Sequence, residues 1–163
     1  TTTLFLIVLI LIVASLILAG ALRALRTAGT PDEVSADEIT GQIVEKLALT
    51  NMTEVPRDQL TKHYSVNAEP GVLLQDYSYY INQSANNGTE VTCFVLESEE
   101  LFPELEKIVS EHIASKAAGF KEMNPAEYEM IQRYTVEQDG RYVLVAVTEN
   151  NAAAVKIFLS MLA

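Results

Sequence analysis

Apolar and polar positions follow two regimes along the chain. From Leu4 to Leu22 no residue is charged, and Ser15 is the only strongly polar side chain. A helix of that length rises about 28 Å at roughly 1.5 Å per residue, close to a hydrocarbon core of about 30 Å. A buried helix of a globular domain keeps a polar stripe, and this segment has none. Arg23 and Arg26 follow at helical spacing, suited to reaching lipid headgroups, and Gly29, Thr30 and Pro31 end the helix. The pattern predicts a membrane anchor over residues 1–29, embedded through residues 4–22, and a polar linker over 30–37.

After the linker the apolar positions become periodic. Ser35-x-x-Glu38 is a capping box, and Ile39, Ile43, Val44 and Leu47 predict a helix to about Leu49. Thr50–Pro56 reads as a loop, and Asp58–Tyr64 as a short helix capped by Asp58. Leu73–Ile81 and Glu90–Glu97 are rich in β-formers and flank Asn86-Asn87-Gly88, a turn signal, so they predict a hairpin. Ser98–Ala118 predicts the longest helix of the domain, capped by Ser98 and ended by Gly119, with Leu101, Leu105, Ile108, Ile113 and Ala117 as its buried stripe. A helix opened by Asn124-Pro125 follows. Arg133–Glu137 and Arg141–Thr148 flank a second turn, Gln138-Asp139-Gly140, and a last helix, capped by Asn150 or Asn151, carries Val155, Phe158, Leu159 and Leu162. The expected fold is α+β: the N-terminal transmembrane helix, then residues 38–163 as a four-stranded antiparallel sheet of two hairpins with helices packed on one face.

Charge is as uneven as hydropathy. All 22 Asp and Glu follow Pro31, against 9 of the 11 Lys and Arg, so the domain carries a net charge of −13. Such a surface repels nucleic acid, and no nucleic-acid partner is expected. The single cysteine, Cys93, rules out an intramolecular disulfide and a Cys-based zinc site. It lies in the apolar run Val91–Leu96, as a small buried hydrophobe would.

No catalytic constellation is legible. His63 and His112 stand 49 residues apart without carboxylates at ligand spacing around both, and no metal site is expected. Neither a Gly-x-Ser-x-Gly motif nor a Gly-rich phosphate loop is present, and no cofactor is expected. The acidic run around Ser98 reads as favourable charge at a helix N-terminus. The aromatic set Tyr77, Tyr79 and Tyr80 is the candidate binding surface. Period two places Tyr77 and Tyr79 on one face of a strand and Tyr80 on the other. Exposed, such residues bind a glycan or peptide; half-buried sheet packing is their commoner use.

Tyr64-Ser65-Val66, the aromatic strand Asp76–Tyr80, the hairpin strand Glu90–Glu97, the long helix to Phe120 with Asn124-Pro125-Ala126-Glu127 after it, and Gly140-Arg141-Tyr142-Val143 recur in one order. That order resembles the DUF4358 proteins, a bacterial family without an established activity, over roughly Ala36 to Leu162. The resemblance implies an exported or membrane-anchored protein and a cell-envelope role, near surface-polysaccharide acetylation. This chain has no lipobox cysteine, which leaves the helix itself as the anchor.

The expectation is a single-pass protein of the cell membrane with an extracytoplasmic, non-enzymatic binding or scaffolding domain. Its partners would be the membrane and an envelope protein or polysaccharide. Arg23 and Arg26 taken alone favour a cytoplasmic domain. Cleavage after Ala19-Gly20-Ala21 is a competing reading of the apolar segment. So is a pilin-like filament subunit that forms a homo-oligomer through this helix, although Phe5 stands where pilins carry Glu. An accessory subunit in surface-polysaccharide modification is the remaining alternative; a pocket gathering Asp76, Glu97 or His112 would favour it.

Overall fold

The computed structural model describes residues 33–66 and 72–163. The chain divides into two units, Thr1–Glu33 and Val34–Ala163, and the second is the domain. The anchor segment 4–22, Arg23 and Arg26 lie outside the described residues. Among the described residues no helix is long and apolar enough to cross a membrane.

Ser35 fixes where the first helix of the domain begins. Its hydroxyl accepts from the Glu38 amide at 3.2 Å, and its own amide donates to Glu38 Oε2 at 2.9 Å. This reciprocal cap satisfies two amides that the first turn would leave open. Helix α1 then runs Ala36–Lys46, two residues into the expected linker, and buries Ile39 and Ile43. Asn124 and Asn150 cap two later helices in the expected way, each accepting from an amide three residues on.

The chain continues as strand β1 (Met52–Glu54), a 3-10 turn (Arg57–Gln59) leading into α2 (Leu60–His63), and strands β2 (Leu74–Asn82) and β3 (Glu90–Leu96). Next come α3 (Phe102–Phe120), α4 (Pro125–Gln132), β4 (Thr135–Asp139), β5 (Tyr142–Val147) and α5 (Asn151–Leu162). The five strands form one antiparallel sheet in the order β1-β2-β3-β5-β4.

Two expectations about the sheet are corrected. There are five strands, not four: Met52–Glu54, read as loop, pairs with the end of β2, Thr53 opposite Ile81. A three-residue strand with no buried position offers no period-two signal. Helices also cover both faces rather than one. Every residue of β3 is buried, so its side chains enter two cores. Phe94 and Leu96 join Leu105, Val109 and Ile113 of α3 and Ile131 of α4 on one face. Val91, Cys93 and Val95 join Ile39 and Ile43 of α1 and Phe158 of α5 on the other. Burial of every residue of β3, and of all of β5 after Tyr142, is the mark of strands covered twice.

Some boundaries also move. Asp58 does not cap a helix, and Ser98 opens a 3-10 turn before α3 without a side-chain cap. Gly119 lies inside α3 instead of ending it. Gly88 is needed for close approach, not for a left-handed turn: a Cβ there would sit 2.7 Å from Ile131 Cδ1. Its amide donates to Glu127 Oε2 at 2.6 Å, which ties the β2–β3 loop to α4.

Candidate functional site

Glu90 opens β3 with its side chain on the α3 face, in step with Thr92 and Phe94. It has no solvent exposure. On α3, His112 and Lys116 are one turn apart, each next to a core residue, Ile113 and Ala117. That spacing aims both at one point of the sheet. Lys116 Nζ donates to Glu90 Oε2 at 2.6 Å, and His112 Nε2 lies 2.9 Å from Oε1 and 3.1 Å from Oε2. Tyr79 donates to Oε2 at 2.9 Å and Tyr64 to Oε1 at 3.2 Å, while the Thr92 hydroxyl bonds the Tyr64 oxygen at 3.2 Å. On its other side, His112 Nδ1 donates to the carbonyl of His63 at 2.8 Å. Both ring nitrogens therefore face acceptor oxygens.

The rings around the carboxylate are packed as closely as its hydrogen bonds. Tyr64 stacks on His112 with centroids 4.0 Å apart, and meets Tyr79 and Phe94 edge-on at 5.3 and 5.2 Å. Burial pushes the Glu90 carboxyl up. The Lys116 charge and the hydrogen bond and charge of His112 outweigh it, and hold the group down at about 2. Burial and the neighbouring Glu90 charge push the Tyr64 and Tyr79 phenols well above their ordinary value. The carboxylate is thus ionised, inaccessible and surrounded by donors. Among the described residues, no buried side-chain nitrogen or oxygen lacks a partner.

A cleft of about 360 Å³ opens over this cluster, walled in part by Lys62, His63, Tyr79, His112, Ser115 and Lys116. No Asp or Glu lines it. Burial, then the charges of His112, Lys116 and Lys62, hold the His63 imidazole below its ordinary value, against the pull of Glu90. A larger cleft of about 470 Å³ lies where the end of α1, the β2–β3 loop and the start of α5 meet. It mixes Lys46 with Glu127 and Glu149 and holds no buried charge, so the chemistry concentrates at the smaller one.

Comparison with protein-family models, with curated proteins and with solved structures found no match.

The aromatic triplet does not form one exposed surface, which corrects that expectation. Tyr77 and Tyr79 do share a face and Tyr80 takes the other, as period two requires. Tyr79, however, is only 2% exposed and serves as a donor to Glu90. Tyr77 is half-buried beneath the Arg57 guanidinium, 5.0 Å from its ring centre, and donates to the Arg57 carbonyl at 2.6 Å. Tyr80 is half-buried and reaches Asp37 of α1 at 3.4 Å. Nor do Asp76, Glu97 and His112 share a pocket: Asp76 pairs with Arg57 and accepts from the Ala36 amide, and Glu97 is exposed. Cys93 is buried, and burial, then Asp76, raises its thiol. Among the described residues no group of three or more His, Cys, Asp or Glu could hold a metal ion. Sequence reasoning missed Glu90 and Lys116. Two signals pointed to them: a lone carboxylate opening an otherwise apolar strand, and His and Lys four apart on a helix.

Proposed function

We propose that the chain is a membrane-tethered binding domain of the cell envelope, held by its apolar segment 4–22 and acting by binding or scaffolding rather than by catalysis. The observation that carries the binding half is the contrast between the cluster and the cleft above it. Glu90 is saturated with donors and buried, which suits a fixed structural charge and not a group that exchanges protons with a substrate. The cleft above it is open and is walled by α2, β2, the β2–β3 loop and α3. The uninterrupted apolar run Leu4–Leu22 supports the tether, and the resemblance to the DUF4358 proteins supports an extracytoplasmic domain.

Protease added to intact cells bounded by a single membrane and making the full chain tests the placement. Loss of the domain before lysis is expected. A domain cut only after lysis, or recovered without membranes, contradicts it.

A further inference from the structure

We propose that the cleft walled by Lys62, His63, His112 and Lys116 binds a small anion: a carboxylate or phosphate head on a body with apolar surface. The proposal rests on the binding reading above and names the ligand class. Its first support is a local reversal of charge. The domain carries −13, yet both of the chain's histidines and two of the domain's nine lysines and arginines gather on one wall that has no carboxylate.

Neutralising Glu90 does not account for the gathering. Glu90 is one negative charge, and Lys116 matches it at 2.6 Å. Lys62 and His63 make no hydrogen bond to it through their side chains, and among the described residues Lys62 is in no ion pair. They are positive or ionisable groups in excess of what the floor requires, exposed at the mouth. Burial first, then the charges of His112, Lys116 and Lys62, hold the His63 imidazole below its ordinary value against the pull of Glu90, and a bound anion would offset those positive charges.

The rest of the wall supplies the other half of a ligand site. Ile81 and Phe120 are half-buried apolar surface, while Ser84, Ser115, Asn82 and Asn87 offer neutral hydrogen-bonding groups. The cleft thus sets cationic and neutral hydrogen-bonding groups beside a limited apolar surface, a lining suited to an anionic head on a partly apolar body. Its volume of about 360 Å³ admits a ligand the size of a benzoate or a sugar acid and no polymer duplex.

The test is a proton NMR titration of the full chain in detergent, following the ring signals of His63 and His112. Sodium phosphate and sodium benzoate are added separately at constant ionic strength. Saturable shifts of both rings with at least one probe are expected, with the His63 titration midpoint moving up. Phosphate alone would mark a phosphate site, and benzoate a carboxylate site with an apolar wall. The double variant Lys62→Ala/His63→Ala, which keeps the His63 carbonyl, is expected to weaken binding about tenfold or more. Lys62→Arg should retain it. Shifts that do not saturate with either probe, or a double variant that is folded and binds unchanged, would overturn the proposal. The two readings fail separately: a membrane-bound chain that binds neither anion loses only this inference, and an anion-binding chain found off the membrane loses only the tether.

Discussion

His112 Nε2 lies 2.9 Å from Glu90 Oε1, joining the middle of α3 to the first residue of β3 at a carboxylate with no exposure to solvent. Two donors from one helix and two tyrosines from other elements converge on that one side chain. Replacing it isolates the cost of the charge from that of the shape. Glu90→Gln keeps the volume but leaves Lys116 without its counter-charge. A loss of about 3–5 kcal/mol in urea unfolding is expected, the usual cost of removing one partner of a buried pair. The triple apolar variant Glu90→Leu/His112→Leu/Lys116→Met should be more stable than Glu90→Gln, because no charge then remains buried. Equal or lower stability for the triple variant would mean that the cluster is valued for packing.

The same carboxylate sets an acid limit. Its folded value of about 2 lies below its ordinary value of 4.5. A depressed carboxyl contributes stability that is present above 4.5 and is lost as pH falls toward 2. At about 1.4 kcal/mol per unit, the loss is on the order of 3 kcal/mol. His63 adds a milder loss of the same sign, since its folded value lies below its ordinary 6.5 and protonation below that pH opposes folding. Urea midpoints measured from pH 8 to pH 3 should fall in two stages. Glu90→Gln should abolish the lower stage and keep the upper.

Tyr64 and Tyr79 set an alkaline limit of opposite sign. Their folded values lie above 10, so the stability they confer is present below pH 10 and is lost as pH rises past it. Of the seven tyrosines, these two should stay un-ionised in an ultraviolet titration until the domain unfolds. Full ionisation with native far-ultraviolet dichroism would contradict their placement against Glu90.

Gly88→Ala tests how the β2–β3 loop is held. The new Cβ would meet Ile131 Cδ1 at 2.7 Å and Cγ1 at 2.8 Å, and Ile131 is fully buried and cannot swing away. A cost of about 1–3 kcal/mol in thermal or urea unfolding is expected. Trimming Ile131 to Val in the same chain should recover part of it.

Local signals in the sequence carried far, and long-range ones did not. Ser35, Asn124 and Asn150 state their caps within three residues, so those helix starts were legible. Both hairpins were legible too, because turn signals separate runs rich in β-formers. Strand β1 was not, since three half-buried or exposed residues carry no pattern and owe their pairing to β2. The apolar stretch Tyr142–Val147 of β5 is the sequence signal for cover on both faces, whereas Glu90 and Thr92 interrupt it in β3. The site was the least legible. Glu90 and Lys116 are 26 residues apart and His63 and His112 are 49, and only the packing of α3 over the sheet brings them together. Searching for metal or triad spacing passes over such a cluster, because its chemistry is that of a buried charge and its donors.

The central claim is that Glu90 is an ionised carboxylate clamped by Lys116 and His112 beneath the residues that line the cleft. Carbon-13 NMR of the Glu90 carboxyl carbon, assigned by comparison with Glu90→Gln, tests it directly. The signal should hold its carboxylate position from neutral pH until it titrates at about 2 or the domain unfolds. An inflection at or above 4.5 in the folded protein would show a Glu90 not held by Lys116 and His112, and the acid limit would fall with it.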